Sequence, residues 1–102
     1  MFRHVSLLRW KTDATEAQRA AVIDALRTLP RRVPSIRHYS LGEDQHTTDG
    51  NYDLAIVADF DDEAGYIAYR DNSDHQHMIA ELIRPILESR AAVQAPNPNE
   101  HA

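Results

Sequence analysis

The chain has 102 residues, a formal net charge of −5 at pH 7 and no cysteine. This length allows one domain with a single core, and the scattered Lys and Arg side chains form no basic stripe for a nucleic-acid backbone. The lack of cysteine excludes a disulfide scaffold, a thiolate nucleophile and a Cys-ligated metal. No stretch has the length of a membrane span or the pattern of a signal peptide, so we expect no membrane contact and a cytoplasmic location.

The first predicted strand covers residues 2 to 11 and has apolar side chains on both faces. One face carries Phe2, His4, Ser6, Leu8 and Trp10, and the other carries Arg3, Val5, Leu7, Arg9 and Lys11. A helix is predicted next, because Thr15 and Gln18 have the spacing of a capping box. Its buried stripe should contain Val22, Ile23, Leu26, Leu29 and Val33. Pro30 and Pro34 should end the regular helix near residue 29.

Two further strands are predicted at residues 36–42 and 52–60, joined by a long polar loop. In the second of these, Leu54, Ile56, Ala58 and Phe60 alternate with Ala55, Val57 and Asp59. Asp61 or Asp62 can then cap a short helix that extends through Tyr66 and Tyr69.

The next helix is predicted to begin near Ser73, because Ser73 and Gln76 also have capping-box spacing. On that helix His75, Met78, Ile79 and Leu82 share the apolar face. His77 lies on the other side, and Tyr69 is a candidate partner for the buried His75 ring. The helix should stop near Arg84, because Pro85 follows it. A last strand is predicted at residues 89–95, which completes a domain of residues 1–95 with an extended tail at 96–102.

The order strand, helix, strand, strand, helix pair, strand is that of a ferredoxin-like α+β fold, a four-stranded antiparallel sheet with helices on one face. The other face would then expose Val5, Leu7, Ala55 and Val57. A contiguous apolar patch usually marks an association surface. We therefore predict a homodimer through the open sheet face; the alternative is a monomer in which the tail or the long loop covers part of the patch.

Several segments together resemble the stress-responsive A/B barrel domain family over about residues 2 to 95. They are the opening RHVSLLRWK, the helix entry TEAQ, the strand YDLAIVADF, Tyr69 with His75 six residues later, and Arg84-Pro85. The resemblance implies a dimeric α+β barrel built from two ferredoxin-like subunits. It also implies a site, because polyketide cyclases of the family are similar at positions that correspond to His4, Tyr69 and His75. A second tyrosine of those cyclases is replaced by Leu26 here.

Two functions are compatible with these residues. In the first, a small apolar carbonyl or aromatic ligand binds between sheet and helices, with His75 as base and with His4 and Tyr69 positioning it, in cofactor-free acid-base catalysis. The walls of that pocket are predicted to include Trp10, Leu26, Phe60, Tyr66 and Met78. In the second, the protein is a non-enzymatic stress-response or stability protein whose barrel serves assembly. A cavity bordered by the two histidines and Tyr69 would distinguish them.

Metal and cofactor sites are not predicted. His75 and His77 diverge on a helix, and no third ligand has distinctive spacing near them. No glycine-rich phosphate loop occurs, since the chain has only three glycines.

Overall fold

The structure is a computed structural model, which describes residues 1–97. Its four strands form one antiparallel sheet in the order β2-β3-β1-β4. The strands are β1 (Phe2–Trp10), β2 (His38–Glu43), β3 (Leu54–Phe60) and β4 (Leu87–Pro96). The two central strands, β1 and β3, have apolar residues on both faces, which suits strands that are flanked on each side. This is the α+β, ferredoxin-like arrangement that the sequence predicts.

The helices pack on the sheet face that carries the even-numbered residues of β1 and β3. Leu8, Leu54, Ile56 and Phe60 on this face are each at most 5% exposed. The helices contribute Val22, Leu26, Leu29, Met78 and Ile83 to the same core. The alternation within the strands therefore positions His4, which shares this face, between the sheet and the helices.

Helix α1 (Glu16–Leu26) begins with the predicted capping box. The amide of Gln18 donates to Thr15 Oγ1 over 3.1 Å, and the amide of Thr15 donates to Gln18 Oε1 over 2.8 Å. The helix ends at Leu26, and a separate short helix α2 (Leu29–Arg32) follows with Pro30 in its first turn. Leu29 and Val33 are nevertheless buried, because α2 continues along the same core.

Strand boundaries differ by a few residues from the prediction, for local reasons. β2 begins at His38 rather than at residue 36, because the Ile36 amide donates to the Val33 carbonyl in a turn. β3 begins at Leu54 rather than at residue 52, and just before it the Asp53 carboxylate accepts the Trp10 amide.

The junction between α3 (Glu63–Asp71) and α4 (Ser73–Met78) corrects one sequence prediction. Asp62 caps α3, as proposed, but α4 is capped by Asn72 rather than by Ser73. The Asn72 side-chain oxygen accepts the His75 amide over 3.1 Å. Gln76 does not close a capping box; its side-chain amide donates to the Arg70 carbonyl at the end of α3. Both contacts anchor α4 to the preceding helix.

The regular helix also ends earlier than predicted. After Met78 the chain forms a π-helical turn, Ile79–Ile83, and then a 3₁₀ turn, Arg84–Ile86, with Pro85 in its middle. Proline has no amide hydrogen, so regular α-helical bonding cannot continue through residue 85. π-Turns occur frequently at functional sites, and this one places Ile79 and Ile83 towards the interior of the fold.

The open face of the sheet carries a row of valines. Val5 lies between Val57 of β3 and Val93 of β4 in register, and Val93 is 63% exposed. The next row contains Leu7 between Ala55 and Ala91.

None of the helices within residues 1–97 is long and apolar enough to cross a membrane.

Polar contacts border this patch at one end. The Asp59 carboxylate accepts two hydrogen bonds from Arg3, over 2.8 and 2.9 Å, and one from Asn97, over 3.2 Å. Pro96 is the last residue of β4, and the amide of Asn97 donates to the Met1 carbonyl. The rest of the predicted tail, residues 98–102, lies outside the described residues.

The Asn72 cap at the α3–α4 junction leads to a prediction about the stability of the protein. Asn72→Ala should lower the free energy of unfolding by about 1 kcal/mol, since it leaves the His75 amide without its acceptor. Ser73→Ala, at the first helical position, should change it by less than about 0.5 kcal/mol. Urea denaturation of both variants measures the difference, and a larger loss for Ser73→Ala would contradict the assignment of the cap.

Candidate functional site

A cavity of about 350 Å³ lies between the helix-covered face of the sheet and the helices. Its apolar walls are Leu8, Leu26, Ile56, Ile79, Ile83 and Leu87. Its polar lining includes His4, Ser6, Tyr66, Tyr69 and His75. A mostly apolar pocket with a few convergent polar groups is the usual form of a small-molecule site.

His75 projects into this cavity from the first turn of α4 and is 8% exposed. Its Nδ1 lies 3.4 Å from the Arg70 carbonyl oxygen. A carbonyl can only accept a hydrogen bond, so Nδ1 carries the proton and Nε2 is the basic nitrogen of the neutral ring. The Asn72 cap holds the backbone of the same residue. The ring is therefore fixed in the tautomer that a proton acceptor requires.

Tyr69 is a stacking partner of His75 rather than a hydrogen-bond partner. The two rings are 4.1 Å apart and inclined by 29°. The sequence suggested Tyr69 as the partner of the buried imidazole, and the structure assigns the hydrogen bond to the Arg70 carbonyl instead. Burial raises the pKa of Tyr69 to about 12, so its hydroxyl keeps its proton at neutral pH and can donate.

Tyr39 lies behind Tyr69 and was not anticipated from the sequence. Its hydroxyl is buried and has no hydrogen bond of normal geometry among residues 1–97. Burial and the neighbouring Tyr69 hydroxyl raise the pKa of Tyr39. Tyr39 in turn acts to lower the pKa of Tyr69, but burial is the larger effect and the pKa of Tyr69 remains raised.

His4 enters the cavity from β1 and is held at both ring nitrogens. The side-chain amide of Gln94 donates to Nδ1 over 3.2 Å, so Nε2 carries the proton and donates to Ser6 Oγ over 3.1 Å. The His4 ring also lies 4.8 Å from that of Tyr66. His4 thus has a fixed orientation and no free basic nitrogen, which suits a positioning group better than a base.

The environment keeps both imidazoles neutral. Burial lowers the pKa of His75, although the carbonyls of Arg70 and Tyr69 oppose the shift. Burial also lowers the pKa of His4, assisted by the positive charge of Arg90 and by His75. A neutral His75 with a basic Nε2 can accept a proton near neutral pH.

These shifts predict a pH dependence of stability. A histidine whose pKa is lower in the folded state binds protons more readily in the unfolded state, so stability falls as pH decreases through 6.5. The free energy of unfolding should therefore decrease between pH 7.5 and pH 5.5, above the range in which carboxylates titrate. Urea denaturation at several pH values measures it. The double variant His4→Gln/His75→Gln should have a flatter profile, and an unchanged slope would contradict this origin.

Five of the eight residues predicted for the site line the cavity. These are His4, Leu26, Tyr66, Tyr69 and His75. The other three do not. Phe60 is fully buried against Tyr69, and Met78 is packed into the core. Trp10 is displaced to the far end of β1, where it borders a separate polar groove with Lys11 and Asp53. Sharing a face with a site residue did not bring these three to the site.

Several lining residues were missed by the sequence analysis, among them Ser6, Arg84 and Arg90. Ser6 could have been found, because it follows His4 on the same face of β1. Arg90 and the His4 partner Gln94 depend on the β1–β4 register, which pairs Leu8 with Arg90 and His4 with Gln94. No local pattern in the sequence specifies that register.

His77 lies outside the site, as its position on the helix predicts. It is exposed, whereas His75 is buried. Within residues 1–97 no group of three His, Cys, Asp or Glu side chains is placed to hold a metal ion.

The sequence model of the Stress responsive A/B Barrel Domain matches residues 2–96. The chain belongs to the stress-responsive A/B barrel domain family. A search among curated protein sequences returned no significant match. Among solved structures, a dimeric ferredoxin-like protein of unknown function from Thermobifida fusca is 43% identical, with a TM-score of 0.86 over 94% of this chain and 90% of that one.

More distant structures share the fold of this family member. A Dabb family protein from Mesorhizobium loti is 17% identical, with a TM-score of 0.79 over 94% of this chain and 95% of that one. The hydroxynitrile lyase of Passiflora edulis is also 17% identical, with a TM-score of 0.82 over 95% of this chain and 94% of that one. At this level of identity the similarity shows the fold alone.

Proposed function

We propose that this A/B barrel protein binds a compact, largely apolar carbonyl compound in the 350 Å³ cavity and handles it by cofactor-free acid-base chemistry. One observation carries the proposal. The imidazole of His75 is buried in the cavity wall, with Nδ1–H donating to the Arg70 carbonyl and the ring stacked on Tyr69, which leaves Nε2 as a base. A purely structural histidine needs neither an adjoining cavity nor an available basic nitrogen.

The chemistry that fits this arrangement is proton abstraction next to a carbonyl. His75 Nε2 takes the proton from the carbon adjacent to the carbonyl. The electron pair of that C–H bond forms a C=C bond, and the π pair of the carbonyl moves to its oxygen. The Tyr69 hydroxyl donates a hydrogen bond to the resulting oxyanion, since its raised pKa keeps it protonated. His4, fixed by Ser6 and Gln94, orients the ligand. The proton then returns from His75 to the product.

The fold comparison supports catalysis only in a general way. One protein with this fold is named as a hydroxynitrile lyase, so the architecture accommodates an enzyme. Because the sequence identity is low, the substrate of that enzyme cannot be assigned to this chain.

We also propose that the protein is a homodimer through its open sheet face. The T. fusca relative is described as dimeric, and the row formed by Val57, Val5 and Val93 is an apolar strip of the kind that dimer interfaces bury. Burying one such side chain fully is worth about 1.5–3 kcal/mol. The Arg3–Asp59 pair borders the strip as a polar rim.

A ligand screen tests the binding part of the proposal. Small aromatic ketones, aldehydes and acids are added to the protein and its unfolding temperature is measured. A compound present at 100 times its Kd should stabilise the native state by about 2.7 kcal/mol, a rise of several degrees. Leu26 lines the cavity, so Leu26→Phe reduces the free volume of the cavity. This variant should bind the compounds found in the screen more weakly than the wild type does. Absence of any hit would favour the alternative in which the barrel serves assembly only.

A further inference from the structure

Three arginines line the cavity of a protein whose net charge is negative. They are Arg70, Arg84 and Arg90. Arg70 is already neutralised, because its guanidinium makes two hydrogen bonds to Asp71, over 2.8 and 3.1 Å. Within residues 1–97 neither Arg84 nor Arg90 makes a salt bridge to an acidic side chain. The cavity therefore has positive charge in its lining without a protein counterion from the described part of the chain.

Arg90 is the closer of the two to the proposed catalytic groups. Its guanidinium donates to Ser6 Oγ over 3.5 Å, and Ser6 is hydrogen bonded to His4. Its charge acts on His4 and also on Tyr69, which is next to His75. Arg90 projects from β4, the edge strand, where its neighbours Ala92 and Gln94 are exposed. Arg90 is itself exposed, so its guanidinium lines the cavity at the edge of the sheet and contacts the polar lining at Ser6.

The structure assigns to this cavity a ligand that carries a carboxylate, held by Arg90, on an apolar body packed against the aliphatic walls. This inference rests on the proposed function of the cavity and specifies its substrate class. The guanidinium fork matches the two oxygens of a carboxylate. The Ser6 hydroxyl, which accepts from His4 and Arg90, keeps its own proton to donate to the same group. Arg84 provides a second positive charge in the lining.

A carboxylate suits the site better than a phosphate. Phosphate sites usually combine a cation with several backbone amides at a glycine-rich loop or a helix N-terminus. The polar lining here consists of side chains from strands β1 and β4, from helices α3 and α4 and from the 3₁₀ turn, and the remaining walls are aliphatic. A single planar anion with an apolar body satisfies both parts of the lining.

Two probes of matched shape test the inference. Phenylacetate and phenylacetamide differ in charge but have the same ring and chain, and phenyl phosphate serves as a third probe. Their Kd values are measured at pH 7.5 by NMR titration of the intact protein. The wild type should bind phenylacetate at least about tenfold more tightly than the amide, as expected for a charge-assisted bidentate contact. Tighter binding of phenyl phosphate than of phenylacetate would overturn the choice of carboxylate.

Arg90→Gln should reduce the preference for the acid to about twofold or less, while the Kd of the amide stays within about twofold of the wild-type value. Arg31→Gln is the matched control, because Arg31 is exposed on α2 and does not line the cavity. It should keep the full preference. An equal loss of the preference for the acid in Arg31→Gln would show a non-specific charge effect. A loss of this preference only in Arg84→Gln would show that Arg84, and not Arg90, contacts the carboxylate. Either result would overturn the assignment.

The two proposals fail in different ways. If the acid and the amide bind the wild type equally well, the carboxylate inference is wrong and the proposed cavity function stands. If neither probe binds, and the broader screen also returns no compound, the proposed function itself is wrong.

Discussion

Val57→Asp is expected to convert the proposed dimer to a monomer. Val57 lies on the open face of the sheet, in register with Val5 on one side and with Ser40 on the other. In a symmetric dimer the substitution places an unpaired carboxylate in the interface from both subunits. An uncompensated buried charge costs about 3–5 kcal/mol. The dimer dissociation constant should therefore rise by at least about a hundredfold.

Analytical ultracentrifugation at micromolar concentration measures this change. Ile67→Asp is a matched control, because Ile67 is an aliphatic residue that is 38% exposed on the outer side of α3. It should leave the sedimentation coefficient unchanged. A Val57→Asp protein with the mass of the wild-type dimer would exclude this face as the interface. A wild type that is monomeric at these concentrations would exclude the dimer.

His75→Ala is expected to abolish turnover of a carbonyl ligand and to leave the dimer intact. The variant removes the only basic nitrogen that we assign to the reaction, and general acid-base groups contribute typically about 10²–10⁴-fold in rate. Exchange of the hydrogens next to the carbonyl of a screened ketone, followed by ¹H NMR in D₂O, reports the proton transfer directly. The wild type should catalyse the exchange, and the variant should not exceed the buffer rate.

The neighbouring histidine provides the control for this experiment. His77 is two residues further along the same helix and is exposed, so His77→Ala should exchange the ketone at the wild-type rate. His75→Gln preserves much of the side-chain volume without a basic nitrogen, so it should fold and should be as inactive as His75→Ala. Exchange at the wild-type rate in His75→Gln would assign the base to another residue. Loss of folding in both His75 variants would identify the residue as structural.

The sequence was most informative where the pattern is local. The capping box at Thr15 and Gln18 and the two-sided alternation of β1 depend on residues within a few positions of each other, and both were predicted correctly. The same holds for the burial of His75, which follows from helical periodicity. The error at Ser73 was also local. Two adjacent residues, Asn72 and Ser73, can both cap a helix, and the end of α3 at Asp71 selected Asn72.

The prediction of the pocket wall was wrong for residues whose position depends on packing between distant elements. Phe60 and Met78 share faces with cavity residues, yet both fill the core. Which side chains fill a core and which border a void depends on the space between sheet and helices. That space is bordered here by the π-turn Ile79–Ile83, which the sequence pattern does not predict.

The sequence by itself determined the order of the elements, the two faces of each central strand, and the presence of one histidine from β1 and one from α4 on the covered face. The tertiary structure alone decided that these histidines share a cavity and that the Arg70 carbonyl rather than the Tyr69 hydroxyl bonds the His75 ring. It also decided that Gln94 bonds His4 and that Arg90 bonds Ser6. The reason is physical. Periodicity sets the face of a residue within its own strand or helix, whereas strand register and the packing of helices on the sheet set which faces meet.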